Sequence, residues 1–349
     1  MIIHTNYKDI FNLNKKELNK IDTEIFDFLE HWKTNKECLT VRTSGSTGKP
    51  KHIKLKRDAI INSAKATLDY FKLKENSKFH CCLPTKYIGG KMMLVRALIN
   101  KAEIILTKPA KNVTKYLEEE IDFSAMTSMQ VENSIMNKGF KYIKRLIIGG
   151  GPISNRLLEK IDELPTKCYQ TFGMTETVSH IAIRELSNSS IDNPYRCLNH
   201  VKISTNKNGN LIINSPKLNI ESLTTNDIIQ ITGNQEFKYV GRSDNIINTG
   251  GIKVYPEILE KEIEKILNRK DFFIDKVDDI DLGEKVIIVA LKCLELDKLK
   301  EAIKKIKDQK IAPKSILLTD FFYLTPNNKI NRKKSKFEAL KTSKLSSAK

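Results

Sequence analysis

The 349-residue sequence has no long apolar run, no paired-cysteine motif and no leader-like start. No apolar stretch approaches the ~18 residues that a membrane-spanning helix needs, so we expect no membrane partner. The start, MIIHTNYKDIF, lacks a basic segment followed by an apolar one, which favours a cytoplasmic protein. The six cysteines show no C-x-x-C spacing, and we expect them to be reduced, mostly buried thiols.

The charge is strongly one-sided, because 60 Lys and Arg stand against 42 Asp and Glu and give a net +18. A surplus of this size attracts anions and raises the question of a nucleic-acid partner. However, the lysines are scattered along the whole chain, and no basic segment is interleaved with aromatic residues. We therefore expect no nucleic-acid partner, and we interpret most of the basic run 329–349 as a solvated tail.

A stretch rich in Ser, Thr and Gly, TSGSTGKPK, occupies residues 43–51. It does not fit the P-loop pattern G-x-x-x-x-G-K-[ST], because Thr43 stands at the first glycine position and Pro50 at the Ser/Thr position. Pro50 disfavours helix at the preceding residue, and HIKLK (52–56) alternates like a strand. Either this is a flexible turn or its backbone N–H groups and side chains bind a polyphosphate. The candidate phosphate-binding residues are Thr43, Ser44, Gly45, Ser46, Thr47, Gly48, Lys49 and Lys51.

The order of apolar segments indicates the architecture. Between about residues 57 and 180, apolar strands such as AEIILT and RLIIGGG alternate with helical segments, which predicts α/β layers. From about residue 195 the segments become short and strand-like, which predicts a β-rich subdomain. After a junction near residues 241–244, the helix VYPEILEKEIEKILN, the strand KVIIVALKCLE and the helix DKLKEAIKKIKDQ predict a small α+β domain.

Two glycine-containing segments carry candidate chemistry in the first part of the chain. RLIIGGGPIS (145–154) is a buried strand that ends in three glycines, where either the backbone approaches a ligand or the chain simply turns. YQTFGMTET (169–177) places Thr175 and Glu176 after a strand. These residues offer a hydroxyl for phosphate and a carboxylate for Mg²⁺, unless the segment is an ordinary polar loop.

Three further segments follow. TTNDIIQI (224–231) places Asp227 before an apolar strand, either as an acceptor for ribose hydroxyls or as a turn residue. YVGRSDNIINTGG (239–251) combines Arg242 and Asp244 with Gly250 and Gly251 at the junction, where a ligand or only an inter-domain turn is expected. LTPNNKINR (324–332) carries Lys329, which in isolation would be a solvated lysine.

Taken in order, TSGSTGKPK, GGGP, FGMTET, TND, GRSDNIINTGG and TPNNKINR resemble the adenylate-forming superfamily of acyl- and aryl-CoA synthetases, peptide-synthetase adenylation domains and luciferases. The resemblance extends from about residue 40 to 335. It implies an α/β fold with a layered large domain, residues 1–241, and a small mobile α+β C-terminal domain, residues 242–349. The first motif lies much closer to the start than in the family, so we expect a truncated large domain that lacks most of the N-terminal subdomain.

The resemblance also implies roles at the nucleotide. The loop at 43–51 would hold the β- and γ-phosphates of ATP, and Gly149, Gly150 and Gly151 would line the adenine and acyl pocket. Thr175 would contact the α-phosphate, and Glu176 would hold Mg²⁺.

Four positions outside that pocket also match. Asp227 and Arg242 match the ribose-binding pair of the family, and Asp244 matches the hinge about which the small domain rotates. Lys329 matches the catalytic lysine that offsets charge at the α-phosphate and the acyl carboxylate. We include Gly250 and Gly251 among the predicted nucleotide-binding residues.

For the acid substrate, CLPTKYIGGKMMLVRALI (82–99) resembles the o-succinylbenzoate–CoA ligases of menaquinone synthesis. Arg96 matches an arginine that faces the succinyl side of the substrate, where a fixed cation holds one carboxylate while the other is activated. Tyr87 replaces a family histidine, and Gly90 and Lys91 complete the predicted substrate-binding set. The alternative is that Arg96 is only a helix-surface arginine.

The implied activity is ATP-dependent ligation of o-succinylbenzoate to coenzyme A, with ATP, Mg²⁺ and CoA as cofactors and co-substrates. One alternative is an enzyme that adenylates another aryl or acyl acid, with CoA or a carrier-protein thiol as acceptor. Another is a non-catalytic nucleotide-binding or nucleic-acid-associated protein with this fold. The expected partners are small molecules, without nucleic acid or membrane, and homo-oligomer formation is left open.

Overall fold

The computed structural model of the chain describes residues 1–42, 51–186, 193–325 and 330–346. Up to Arg242 the described residues form an α/β unit. Its strands are β1 Ile2–Asn6, β2 Cys38–Arg42, β3 His52–Lys56, β4 Lys78–Cys81, β5 Glu103–Thr107, β6 Phe123–Thr127, β7 Arg145–Gly149, β8 Lys167–Gly173, β9 His180–Glu185, β10 Tyr195–Cys197, β11 Lys202–Thr205, β12 Asn210–Ser215, β13 Ile220–Gly233 and β14 Glu236–Arg242. Its helices are α1 Lys15–Asn19, α2 Ile25–Lys33, α3 Arg57–Phe71, α4 Ile88–Ile99, α5 Ser128–Ser134 and α6 Asn155–Asp162.

Twelve of the described strands form one mixed sheet, in the order β1-β5-β4-β6-β7-β8-β9-β10-β14-β13-β12-β11. The strands β5, β4, β6, β7 and β8 are mutually parallel, and α4, α5 and α6 each connect one of them to the next along the chain. The predicted α/β fold is therefore confirmed. Because the carboxyl ends of parallel strands meet at one edge, the segments that follow β4, β7 and β8 lie along the same side of the sheet.

The β-rich region predicted from residue 195 is present, but its strands belong to the same large sheet. Strand β10 pairs antiparallel with β9 on one side and with β14 on the other, and so continues the sheet into β13, β12 and β11. The short strand-like segments predicted a β-rich region. They did not predict the partner strands, because pairing joins segments that are distant in sequence.

The core lies on both faces of the parallel strands. Leu146, Ile147 and Ile148 of β7 are all at most 4% exposed, which is typical of a parallel strand covered by helices on both sides. Helix α4 is itself buried around its circumference, since Met92 to Val95 are at most 1% exposed. The sheet covers one side of α4, and α2 covers part of the other side, where the Lys91 ammonium lies 5.4 Å from the ring centre of Phe28.

After Arg242 the described residues form a second sheet with its own core. Its strands are β15 Ile247–Thr249, β16 Ile252–Val254, β17 Phe272–Asp279, β18 Gly283–Leu291 and β19 Ser315–Thr319, and its helices are α7 Pro256–Leu267, α8 Leu296–Lys304 and α9 Arg332–Ser346. The order is β16-β15-β18-β17, with β19 parallel to β18. Helix α7 begins with Pro256 at its first position and ends at Asn268 with φ 50°, as the predicted helix 254–268 requires.

The two sheets are separated by the short segment between Arg242 and Ile247, where the sequence predicts the boundary between residues 1–241 and 242–349. Contacts still join the two parts. The Glu264 carboxylate of α7 accepts a hydrogen bond of 3.1 Å from the backbone N–H of Asn155, the first residue of α6. The relative mobility of the two parts stays a prediction. None of the helices formed by the described residues has both the length and the apolar character to cross a bilayer.

Candidate active site

The predicted phosphate loop lies between two paired strands. Strands β2 and β3 are antiparallel, and Arg42 pairs with His52, so the loop connects their adjacent ends. This confirms the predicted strand 52–56. Lys51 is exposed at the start of β3. The other candidates lie in 43–50, outside the described residues, and their phosphate-binding role stays a prediction; they are Thr43, Ser44, Gly45, Ser46, Thr47, Gly48 and Lys49.

The three glycines lie at the carboxyl end of β7. Gly150 has φ +86°, a left-handed backbone conformation that side chains rarely adopt. A Cβ on Gly149 would lie 3.1 Å from the Thr171 hydroxyl of β8, whereas around Gly151 the space is open. The carbonyl of Gly151 accepts a hydrogen bond of 3.1 Å from Gln170. The segment is thus a tight turn held against β8, with open space in front of it.

The segment that carries Thr175 and Glu176 is a compact loop between β8 and β9, which we call the 173–180 loop. It requires glycine at Gly173, where a Cβ would collide with the Ser179 carbonyl and lie 2.5 Å from the His180 Cα. The Thr177 hydroxyl accepts from the Met174 N–H at 3.0 Å and donates to the Ser179 carbonyl at 2.7 Å. These contacts hold the loop in one conformation.

Two features of this loop are typical of a functional site. Val178 has φ 65°, and a β-branched residue in this region of backbone space is strained. The Glu176 carboxylate is exposed and has no hydrogen-bond or ion-pair partner among the described residues. Such a carboxylate fits a Mg²⁺ ion whose other ligands are waters and substrate phosphates. The described residues contain no cluster of three or more His, Cys, Asp or Glu that would hold a metal alone.

Asp227 and Arg242 are brought together as cross-strand neighbours on β13 and β14. The Asp227 carboxylate is mostly buried and lies 3.5 Å from an Arg242 nitrogen. Arg242 also donates two hydrogen bonds, of 2.8 and 2.7 Å, to the Asp244 carboxylate, which raise the pKa of Arg242 and lower the pKa of Asp244. The Arg242 guanidinium therefore contacts both Asp227, its partner in the predicted ribose-binding pair, and Asp244, the predicted hinge residue.

Gly250 and Gly251 form the two-residue turn between β15 and β16, with φ of 56° and 80°. Positive φ at both central positions is what a type I′ hairpin turn demands, and Gly-Gly supplies it. The described structure therefore gives these glycines a local structural role. Their predicted approach to a ligand stays a prediction.

Arg96 is 1% exposed, so the alternative of a helix-surface arginine is wrong. One of its terminal nitrogens donates to the Ser179 hydroxyl at 3.0 Å, and another lies 3.9 Å from the Met93 sulfur. Its Nε has no hydrogen-bond partner within the part of the chain that the structure describes. No carboxylate among the described residues pairs with it, and burial lowers the pKa of Arg96 to about 9. A buried guanidinium without a counter-charge is costly, which points to an anionic ligand.

The sequence did not single out Ser179 and His180, which follow the FGMTET motif after one intervening residue, Val178. His180 is buried, and its Nε2 lies 3.1 Å from the Thr67 hydroxyl of α3. Burial, and after it the charge of Arg96, holds the pKa of His180 well below its usual value. Their position next to a motif was the available signal, but the contact with Thr67 joins residues 113 positions apart.

The other predicted substrate residues lie elsewhere on α4 or at its start. Tyr87 is the N-cap residue of the helix, and Gly90 packs against backbone, since a Cβ there would lie 2.7 Å from the Leu83 carbonyl. Lys91 faces α2, and burial lowers its pKa against the opposing effect of Glu24. The structure does not group Lys91 with Arg96, and the substrate role of all three stays a prediction.

Lys329 lies in 326–329, outside the described residues, so its catalytic role stays a prediction. The flanking residues are ordered by a bridge between Leu324 and Ile330. Two residues after Ile330, Arg332 forms an ion pair with the buried Glu260 of α7, in which a guanidinium nitrogen lies 2.8 Å from a carboxylate oxygen. This pair ties the start of α9 to the second sheet.

The described fold is thus a mixed α/β sheet, in which Gly149 to Gly151, Thr175 and Glu176 follow the carboxyl ends of neighbouring parallel strands. The family model described as AMP-binding enzyme matches residues 16–213, more than half of the chain, and the chain belongs to this family.

Similar proteins agree with this assignment. A 2-succinylbenzoate–CoA ligase of Listeria monocytogenes is 25% identical, over 93% of this chain and 75% of that protein. The crystal structure of an acyl-CoA synthetase (AMP-forming)/AMP-acid ligase II-like protein from Dyadobacter fermentans is 29% identical, with a TM-score of 0.65, and the match covers 97% of this chain and 100% of that one. The o-succinylbenzoate CoA synthetase of Bacillus subtilis with its acyl-adenylate shares the fold at 18% identity, with a TM-score of 0.72 over 85% of this chain and 68% of that one.

Proposed function

We propose that this AMP-binding enzyme is an AMP-forming acid–CoA ligase that acts on o-succinylbenzoate in menaquinone biosynthesis. In the first step a carboxylate oxygen attacks the α-phosphorus of ATP and pyrophosphate leaves, which gives an acyl-adenylate. In the second step the CoA thiol attacks the acyl carbon, AMP leaves and the thiol proton is released. The products are o-succinylbenzoyl-CoA, AMP and pyrophosphate.

The class of reaction is supported by the family and by the relatives. The Listeria monocytogenes protein is a 2-succinylbenzoate–CoA ligase, and the Bacillus subtilis enzyme has been solved with ATP and magnesium ion as well as with its acyl-adenylate. In this chain Glu176 would hold Mg²⁺ together with phosphate oxygens, where the ion offsets phosphate charge.

The single observation that carries the choice of acid is Arg96. A dicarboxylate substrate presents one carboxylate to ATP and leaves the second one charged inside the pocket. A buried guanidinium with free donors is the group that can hold that second carboxylate. A long-chain fatty acid would have no use for this cation and would require an apolar tunnel instead.

The remaining roles follow from the same arrangement. Asp227 and Arg242, side by side on β13 and β14, would bind the ribose hydroxyls, and Thr175 would contact the α-phosphate. We assign residues 1–241 to nucleotide and acid binding and residues 242–349 to a lid that rotates near Asp244. Lys329 would reach the reacting carboxylate in the adenylating orientation and leave it when the thiol approaches.

Adenylation of a different aryl or acyl acid, with CoA or a carrier-protein thiol as acceptor, is the alternative. Pyrophosphate exchange measured with o-succinylbenzoate, benzoate and a fatty acid separates these cases. We expect exchange with o-succinylbenzoate at least tenfold above either monoacid, which corresponds to about 1.4 kcal/mol. Exchange with benzoate and none with o-succinylbenzoate would refute the assignment. A protein that only binds nucleotide would give no exchange with any acid.

A further inference from the structure

Arg96 is held by a chain of uncharged groups that leads away from the acid pocket. The chain runs from Arg96 to the Ser179 hydroxyl at 3.0 Å, to His180 Nδ1 at 3.5 Å, from His180 Nε2 to the Thr67 hydroxyl at 3.1 Å, and from there to the Ser63 carbonyl at 3.1 Å. Its members come from three elements: α4, the 173–180 loop with β9, and α3.

The hydrogen-bond directions in this chain are determined from its far end. The Thr67 hydroxyl donates to the Ser63 carbonyl, so it accepts from His180, and Nε2 carries the proton. His180 Nδ1 is then the acceptor for the Ser179 hydroxyl. This leaves the Ser179 oxygen lone pairs for the Arg96 donor. This chain of hydrogen bonds is complete only while His180 is neutral, and it supplies no negative charge to Arg96.

Ser179 also belongs to the loop that carries the nucleotide-binding residues. Its carbonyl accepts from the Thr177 hydroxyl, and the same hydroxyl accepts from the Met174 N–H directly before Thr175. Gly173 packs against the Ser179 carbonyl and the His180 backbone from the other side. The buried end of the loop therefore contacts the acid-side arginine, and its exposed end presents Glu176.

We propose that Ser179 is a positioning and specificity-determining residue, which couples the carboxylate held by Arg96 to the conformation of Thr175 and Glu176. The inference rests on the proposed function. When the second carboxylate of the acid binds Arg96, the guanidinium is fixed against Ser179, and the 173–180 loop is fixed with it. An acid without that carboxylate leaves the loop less ordered. The dicarboxylate is therefore activated faster as well as bound more tightly.

The test compares o-succinylbenzoate with two monoacids that each lack one of its carboxylates, 3-benzoylpropanoate and 2-butanoylbenzoate. Pyrophosphate exchange gives kcat and KM for each acid in the wild type and in Ser179→Ala. We expect the variant to lose about tenfold in kcat for o-succinylbenzoate, the effect of one hydrogen bond to a charged group. For the monoacid that is activated, and for the KM of ATP, we expect changes of less than about twofold.

Three further variants separate positioning from folding. Ser179→Thr keeps the hydroxyl and is expected to restore most of the kcat. Thr67→Val breaks the hydrogen-bond chain at its far end, away from Arg96, and is also expected to lower kcat for o-succinylbenzoate. This variant keeps the inference testable if Ser179→Ala does not fold. Thr166→Val removes a buried hydroxyl that bonds only the Phe140 carbonyl, and should leave all kinetic constants unchanged.

The outcomes are distinguishable. If the wild type exchanges with a monoacid but not with o-succinylbenzoate, the proposed function is wrong and the inference is overturned with it. If the wild type prefers o-succinylbenzoate and Ser179→Ala changes only KM, or lowers kcat for all acids equally, the proposed function stands and the inference is overturned. A selective loss of kcat for the dicarboxylate supports both.

Discussion

At the scale of single residues, Arg96 combines two properties that rarely occur together, complete burial and the lack of a counter-charge among the described residues. It was a candidate at the level of sequence, because the segment 82–99 resembles the o-succinylbenzoate–CoA ligases and Arg96 matches their substrate-side arginine. Its burial was not predictable, since the periodicity of α4 does not reveal that α3 and the 173–180 loop pack against this helix. The partner Ser179 was missed for a similar reason, because it is 83 residues distant.

The substitution Arg96→Gln tests the role of this cation. Loss of charge-assisted hydrogen bonds to the second carboxylate should raise the KM for o-succinylbenzoate at least about tenfold, while the KM for the activated monoacid stays within about twofold. The free energy of unfolding without ligand should not fall, because the variant removes a buried, unpaired charge. Pyrophosphate exchange and denaturant unfolding measure the two quantities. If KM rises equally for both acids and the free energy of unfolding falls, Arg96 has a structural role instead.

At the scale of elements, the 173–180 loop is the part of the site that depends most on local backbone geometry. The sequence predicted a polar loop after a strand and placed Thr175 and Glu176 in it. It did not predict the strained Val178 or the close packing of Gly173 on β9, because both arise from how β8 and β9 pair, with an irregular register at Gly173. Likewise, Gly250-Gly251 between two short strands is a hairpin signal, whereas the sequence predicted either a ligand contact or an inter-domain turn at this position.

Gly173→Ala is predicted to destabilise the protein by about 1–3 kcal/mol, because the new methyl group meets backbone atoms that cannot move without shifting β9. Acid activation should fall by more than about tenfold, since Thr175 and Glu176 move with the loop. Urea unfolding and pyrophosphate exchange report the two effects.

Gly233→Ala is the matched control, because a Cβ at this turn between β13 and β14 would meet only ordinary contacts, at 3.5 Å or more. It should change stability by less than about 0.5 kcal/mol. If both variants behave alike, close packing at Gly173 is not the reason for its glycine.

At the scale of the whole molecule, stability should depend on pH through two buried imidazoles. His80 lies within the large sheet between Ser124 and Thr107, and burial lowers its pKa from 6.5 to about 3. Below pH 6.5 the unfolded chain binds a proton that the folded protein does not. The free energy of unfolding should therefore fall as the pH decreases from 6.5 towards 3, by about 1.4 kcal/mol per pH unit for each such histidine.

Denaturant unfolding at a series of pH values measures this slope. In His80→Asn the slope of the unfolding free energy against pH should decrease by about 1.4 kcal/mol per pH unit, the contribution of one proton. This holds whatever the change in absolute stability. Thr166→Val provides the control, because it removes no titratable group and should leave the slope unchanged. A wild-type free energy of unfolding that is flat between pH 6.5 and 4 would contradict the neutral, buried state of His80 and His180.

The two sheets separate between Arg242 and Ile247, near the predicted junction, and the assignment of residues 1–241 and 242–349 to two domains stays a prediction. What the sequence could not supply is the set of contacts that joins the parts in this conformation. The Asn155–Glu264 hydrogen bond, the Asn245–Glu257 hydrogen bond of 2.6 Å and the Arg242–Asp244 pair all lie at this boundary. A rotation at Asp244 would break or remake these contacts.

Lys329→Ala should lower pyrophosphate exchange at least about a hundredfold, because in its proposed role the lysine would offset the negative charge that accumulates when the acid carboxylate meets the α-phosphate. ATP binding, and thioester formation from a synthetic acyl-adenylate and CoA, should change by less than about threefold, since the lid presents a different face in that step. Lys333→Ala is the matched control, because Lys333 is an exposed residue of α9 four positions away, and it should leave both half-reactions intact. Equal losses in both half-reactions for Lys329→Ala would mean that one lid orientation serves both steps, and the assignment of residues 242–349 as a rotating lid would then be wrong.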